Sequence, residues 1–191
     1  MKTIIRQHHA NFIQLLGAIR VPNGPESMTD VFAGIEHACN LVMDSAQCGG
    51  KMMFIGNGGS AAIASHMAID FWKNGGVPAL AFNDGPLLTC ISNEYGYARV
   101  FEKPIEMFAK GGDLLFAISS GGRSENILNG VAAARAKGCR VITMSGFDDG
   151  NPLSSRGDVN FYVASSQYGP VEVAHQYICH WILDTVIAVK K

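Results

Sequence analysis

Apolar residues in the first nineteen positions, Ile4, Ile5, Phe12, Leu15, Leu16 and Ile19, recur at loosely helical spacing until VPNGPE interrupts them with two prolines and a glycine. This predicts a first helix. Ser27 or Thr29 is the expected cap of a second helix, whose apolar members include Val31, Ile35, Leu41 and Val42 and which Gly49 and Gly50 close. From residue 51 the rhythm changes: KMMFIG, VPALAF, DLLFAIS, CRVITMSG and DVNFYVA read as strands, alternating with helical stretches around 60–73, 86–109, 124–137 and 170–190. Such alternation suits parallel strands joined by crossover helices that cover both faces of the sheet. The expected fold is α/β, a three-layer αβα sandwich with a five-stranded parallel sheet preceded by helices, in a single domain over 1–191. Segment 1–48 would hold the leading helices, whose apolar stripes suit packing against another subunit as well as against the sheet.

A chain of 191 residues is long enough for one substantial core and short for two enzyme domains. Fifteen basic and sixteen acidic residues leave a net charge of −1, which gives no electrostatic footprint for nucleic acid or an anionic membrane. The expected partner is a small ligand gathered by local dipoles. Cys39, Cys48, Cys90, Cys139 and Cys179 are scattered without metal or disulfide spacing and read as reduced, mostly core thiols. The start, MKTIIRQHHANF, lacks a sustained apolar segment with a cleavage site, and no run approaches membrane-spanning length, so a cytoplasmic location is expected.

Two loops carry the first chemistry. GNGGS, Gly56 to Ser60, follows one strand and opens a helix, so its glycines let backbone amides approach an anion while the helix adds free N–H groups and a positive dipole end. SSGGRS, Ser119 to Ser124, repeats the device after another strand, with three hydroxyls and Arg123 as a candidate phosphate clamp. In an open parallel sheet both lie at the carboxyl edge, where ligands bind at the switch in strand order. Gly56, Gly58 and Ala61 also satisfy a dinucleotide fingerprint, with Asp84 near the ribose position. That reading uses neither the second loop nor the residues beyond the first, so no nucleotide cofactor is expected.

His66 and Asp70 lie four residues apart on the helix that opens at Ser60 and therefore share a face. If the helix start holds a phosphate, that face looks at carbons further along the ligand. The last helix, PVEVAHQYICHWILD, is expected to start at Pro170 and adds Glu172, His175, Gln176 and His180.

These motifs together resemble the sugar isomerase (SIS) domain family and, within it, the phosphoheptose isomerases, which interconvert sedoheptulose 7-phosphate and a heptose 7-phosphate. The resemblance spans the leading helices, GNGGSAA with its histidine, TCISNEYGY, the serine loop, VITMSGFDDG and the late histidine. It implies phosphate binding by Ser60, Ser119, Ser120 and Ser124, beside the backbone of Gly58 and Gly59 and the Arg123 clamp read from the loops themselves, and a sugar site lined by Asn57, Asn93 and Glu94. It implies catalysis by Asp70 and His180, a zinc or other divalent metal held by His66, Asp70, Glu172 and His180, and a homotetramer with sites at subunit interfaces. The implied role is in bacterial surface heptose synthesis.

Several positions depart from the family pattern: Asp70 stands for a glutamate, Glu172 for a glutamine, Gly121 and Arg123 alter the serine loop, Ile63 replaces a small acid, and Gly169 an aspartate. Aldose–ketose isomerisation through an enediol needs a base at carbon and a group that exchanges protons with the oxygens. Asp70 or Glu172 is the expected base and His180 the partner for the oxygens. Positions 172 and 180 are separated by about 12 Å along a straight helix, which strains joint coordination of one metal. The alternatives are a non-catalytic SIS module that binds a phosphosugar or a protein partner, and an isomerase of a different phosphosugar.

Overall fold

Five apolar runs, four of them with residues alternating between two buried faces, give this chain its frame. The computed structural model describes residues 1–22 and 30–190. Within them α1 (Lys2–Gly17) and α2 (Val31–Gln47) precede β1 (Met52–Gly56), α3 (Gly59–Lys73), β2 (Ala79–Ala81), α4 (Gly85–Tyr95), α5 (Glu102–Phe108), β3 (Leu114–Ile118), α6 (Glu125–Ala136), β4 (Arg140–Gly146), β5 (Val159–Val163) and α7 (Tyr168–Val189). All strand pairs are parallel, in the order β2-β1-β3-β4-β5. The order reverses between β1 and β3, which is the switch point where an open α/β sheet leaves a crevice at its carboxyl edge.

The period of two along each strand sorts side chains into two cores. Met52 and Phe54 of β1, with Leu114, Phe116 and Ile118 of β3, face α2, α3 and α7. Met53 and Ile55, with Leu115 and Ala117, face α5 and α6. Phe54 stacks on Phe116 with ring centroids 4.5 Å apart, and Phe71 of α3 packs edge-on to both at 5.2 and 5.4 Å. That cluster fixes the helix whose outer face carries His66 and Asp70. The expected three-layer parallel sandwich is the observed architecture.

Local differences from the sequence reading have identifiable causes. The cap of α2 is Asp30, whose Oδ1 accepts from Ala33 N–H at 2.8 Å; Ser27 and Thr29 lie outside the described residues. The two leading helices are also unlike. α2 sinks Ile35, Ala38, Cys39, Leu41 and Val42 into the core, whereas α1 has no fully buried residue and rests Phe12, Leu15 and Leu16 against it. The helical segment expected around 86–109 is divided at Gly96, whose positive φ of 85° ends α4, and a 3-10 turn, Tyr97–Arg99, follows. α7 begins at Tyr168, ahead of Pro170, because a first-turn residue needs no N–H. Cys39, Cys139 and Cys179 are core thiols, but Cys48 and Cys90 are exposed. Burial raises the Cys39 and Cys139 thiols to about 11. No helix among the described residues is long and apolar enough to cross a membrane.

Candidate active site

Both glycine-rich loops open onto one cavity of about 670 Å³ at the carboxyl edge of the sheet, on either side of the strand-order switch. Asn57, Gly58, Gly59 and Ser60 line one wall, and Ser119, Ser120, Gly121, Arg123 and Ser124 the other. Ser60, Ser119 and Ser120 are buried. Ser119 Oγ accepts from Gly122 N–H at 3.2 Å and lies 3.5 Å from Ser124 Oγ. Ser120 Oγ is enclosed and has no hydrogen-bond partner among the described residues. A buried hydroxyl left without a partner in the wall of a polar cavity points to a ligand that supplies one. α3 begins at Gly59, so its free N–H groups and positive dipole end face the same space.

Arg123 is on the wall as expected, and its guanidinium is paired there with Asp148, another lining residue. Glu172, from the first turns of α7, also reaches this cavity. Its carboxylate lies over Gly59, in the space a Cβ there would take, so a side chain at position 59 would displace the Glu172 carboxylate. Glu172 further lines a smaller hollow of about 320 Å³ with Ile63, His66 and Gln176.

Along α3 the helical period puts Ile63, Ala64, Met67, Ala68 and Phe71 inside, which turns His66 and Asp70 outward toward α7. His66 Nε2 is 3.1 Å from Asp70 Oδ2, and His180 Nε2 is 3.9 Å from the same oxygen. The two imidazoles meet edge to face with centroids 5.4 Å apart. Asn74 Nδ2 donates to the other carboxylate oxygen at 3.1 Å. One ligand atom from each of His66, Asp70 and His180 falls within 4.8 Å of the others. Glu172 is not in that set, in keeping with two helical turns between positions 172 and 180. Asn93 and Glu94 are exposed on α4, bonded to each other at 2.9 Å, and do not line the cavity of this chain.

The profile of the SIS domain family matches residues 26–146. A phosphoheptose isomerase of Glaesserella parasuis is 35% identical over 155 residues, covering 78% of this chain and 80% of that protein. The structure of phosphoheptose isomerase from Neisseria gonorrhoeae superposes with a TM-score of 0.86 at 27% identity over 98% of both chains. That from Francisella tularensis gives 0.84 at 26% identity over 99% of this chain and 98% of that one. The chain belongs to the SIS domain family.

In this SIS domain several residues at or beside the cavity were not singled out from the sequence as site residues. Asn126 is buried at the start of α6 and pairs with Asn57, while Tyr97 reaches Asn57 from the turn after α4. Phe147, with φ of 60°, and Tyr168 close the far rim of the cavity with rings 4.8 Å apart. Asn126 sits two residues past SSGGRS, so extending the loop motif into the helix would have found it. Tyr97 depends on the break at Gly96, which periodicity alone does not locate.

Proposed function

We propose that this SIS domain is a phosphosugar aldose–ketose isomerase that interconverts sedoheptulose 7-phosphate and a heptose 7-phosphate through an enediol, as a cytoplasmic enzyme of bacterial surface heptose synthesis. The observation that carries the reading is the partnerless buried hydroxyl of Ser120 in a cavity that shares helix α3 with the His66, Asp70 and His180 trio. The phosphate is held by Ser60, Ser119, Ser120 and Ser124 and by the amides at the start of α3. The carbon chain then extends along α3 toward its second and third turns. There Asp70, oriented by Asn74 and His66, takes the proton from one carbon and returns it to its neighbour, and His180 exchanges protons with the two oxygens. Arg123 exchanges Asp148 for a phosphate oxygen.

Two imidazoles and a carboxylate within 4.8 Å form a donor set that suits zinc or a similar divalent ion with an open position. As the alternative to their carrying protons, His66, Asp70 and His180 would hold it, and a bound ion would then supply Lewis-acid polarisation of the substrate oxygens. The trio is exposed, with side-chain exposures of 51%, 20% and 36% for His66, Asp70 and His180. Ile69, Trp72, Val173 and Tyr177 are exposed on the same two helices. A second copy of the chain covering that surface fits these apolar residues and a homotetramer.

A second assignment of the base, to Glu172, is favoured by its place in the hollow that contains His66. The test is proton NMR of sedoheptulose 7-phosphate with the protein in D₂O, with and without a chelator. An aldose carrying deuterium next to its carbonyl supports the reading, and chelator sensitivity supports the metal. Folded protein that binds the sugar but exchanges no deuterium supports a regulatory SIS module instead.

A further inference from the structure

The amide pair beneath the two loops is not used by the chemistry above. Asn57 belongs to the first loop and Asn126 to the first turn of α6, directly after the second. Asn126 Nδ2 donates to Asn57 Oδ1 at 2.8 Å, and Asn57 Nδ2 donates back to Asn126 Oδ1 at 2.9 Å. The backbone fixes which end is which. Ile127 N–H donates to Asn126 Oδ1 at 3.0 Å, so that atom must be the carbonyl oxygen and its geminal nitrogen the donor toward Asn57. Tyr97 Oη also donates to Asn57 Oδ1, at 3.0 Å. Asn57 therefore accepts twice and donates once within the protein, which leaves one amide hydrogen on a residue that lines the cavity.

Among the described residues no other side-chain hydrogen bond joins the two loops. They leave the paired strands β1 and β3, whose ladder ends at Gly56 and Ile118 and sets the spacing of the loop bases; beyond that pair the loops are rich in glycine and their own sequence does not fix the gap between them. We propose that Asn126 is a positioning residue: through Asn57 it locks the first loop to the second, holding Ser60 on one side and Ser119, Ser120 and Ser124 on the other at the separation that one phosphate bridges. Tyr97 acts as the outer support of the same lock. The inference rests on reading the cavity as a phosphate site, and it adds a residue that does not touch the phosphate.

The test is isothermal titration with inorganic phosphate, at constant salt and below the melting range, on wild type, Asn126→Ala, Asn57→Ala and the double variant. Each single change is expected to weaken binding about tenfold, as loss of paired hydrogen bonds allows. The double variant is expected to bind no more weakly than Asn57→Ala, because Asn126 has nothing left to hold. Single losses that multiply to about a hundredfold, or Asn126→Ala binding like wild type, overturn the proposal. Should Asn126→Ala not fold, Tyr97→Phe removes one bond from a half-exposed ring; it is expected to weaken binding about threefold, and only when Asn57 is present. Unchanged binding by Tyr97→Phe then overturns the lock. Wild type that binds no phosphate overturns the site reading itself, a result distinct from a binding wild type matched by its variants.

Discussion

The two ends of the site are built differently. The phosphate end is a concave cavity made by backbone turns and small residues of one chain, with three of its serines buried. The trio of His66, Asp70 and His180 is a patch on two helices that stays partly open among the described residues, with His66 half exposed. Binding an anion needs converging donors, which a loop between strand and helix supplies by itself. Proton transfer at carbon needs exclusion of water, which an open helical face does not supply. On the proposed function, the difference assigns binding to the single chain and the completion of the reacting end to assembly with another copy.

The largest expected effect separates the two ends. His180→Ala should lower turnover of sedoheptulose 7-phosphate by about a thousandfold, in the range of a lost acid–base group, while leaving inorganic phosphate affinity unchanged. Deuterium incorporation and phosphate titration on one preparation measure both. A parallel fall in phosphate affinity would mean that the ends are not separable.

His175 shares α7 with His180, and its effect appears in stability. It is wholly buried on α7, five residues before His180, and its Nε2–H donates to Ser145 O at 3.1 Å at the end of β4. Its Nδ1 has no partner among the described residues. Burial, opposed by the bond to Ser145, lowers its pKa to about 4. Between that value and about 6.5 the unfolded chain holds the extra proton, so stability is full above 6.5 and falls as pH drops through the window, by on the order of 3 kcal/mol. Chemical denaturation at pH 7, 5.5 and 4 should show this loss in wild type and not in His175→Gln, since carboxylates contribute equally to both.

Glu172 lies on the boundary. A carboxylate over Gly59, at the start of α3, opposes a phosphate in the adjoining cavity. With Asp70 as the base, Glu172→Gln should change turnover less than about threefold and tighten phosphate binding several-fold. A hundredfold loss of turnover with phosphate binding intact would move the base to Glu172.

The same contrast governs how much could be read from the sequence. Strand order aside, the fold was legible because the strands are short runs rich in apolar residues and each loop carries its own glycines and hydroxyls within six residues. His66 and Asp70 were legible as neighbours because helical spacing fixes i and i+4. Their approach to His180 depends on how α3 packs on α7, which local spacing does not specify. The set expected to include Glu172 shows this limit: residue types suited to one ion lie on one helix, yet two turns separate them and the structure brings together only three of the four residues. Asn126 and Tyr97 owe their roles to the pairing of β1 with β3 and to the turn at Gly96, neither of which is a local signal.

The smallest expected effect tests the concave end alone. Ser120→Ala removes a buried hydroxyl that has no partner among the described residues, so the free protein should lose nothing and gain up to about 1 kcal/mol of stability. Phosphate binding should weaken about fivefold, because the ligand then lacks one neutral donor. Turnover at saturating substrate should stay within about twofold, since the change precedes the chemistry and acts equally on ground and transition states. Thermal melting with and without phosphate separates the two signs: the apo midpoint rises or holds, and the phosphate-induced shift shrinks. A variant less stable than wild type with an unchanged phosphate shift would mean that Ser120 serves packing, and the phosphate would then be held by Ser60, Ser119, Ser124 and the amides of α3.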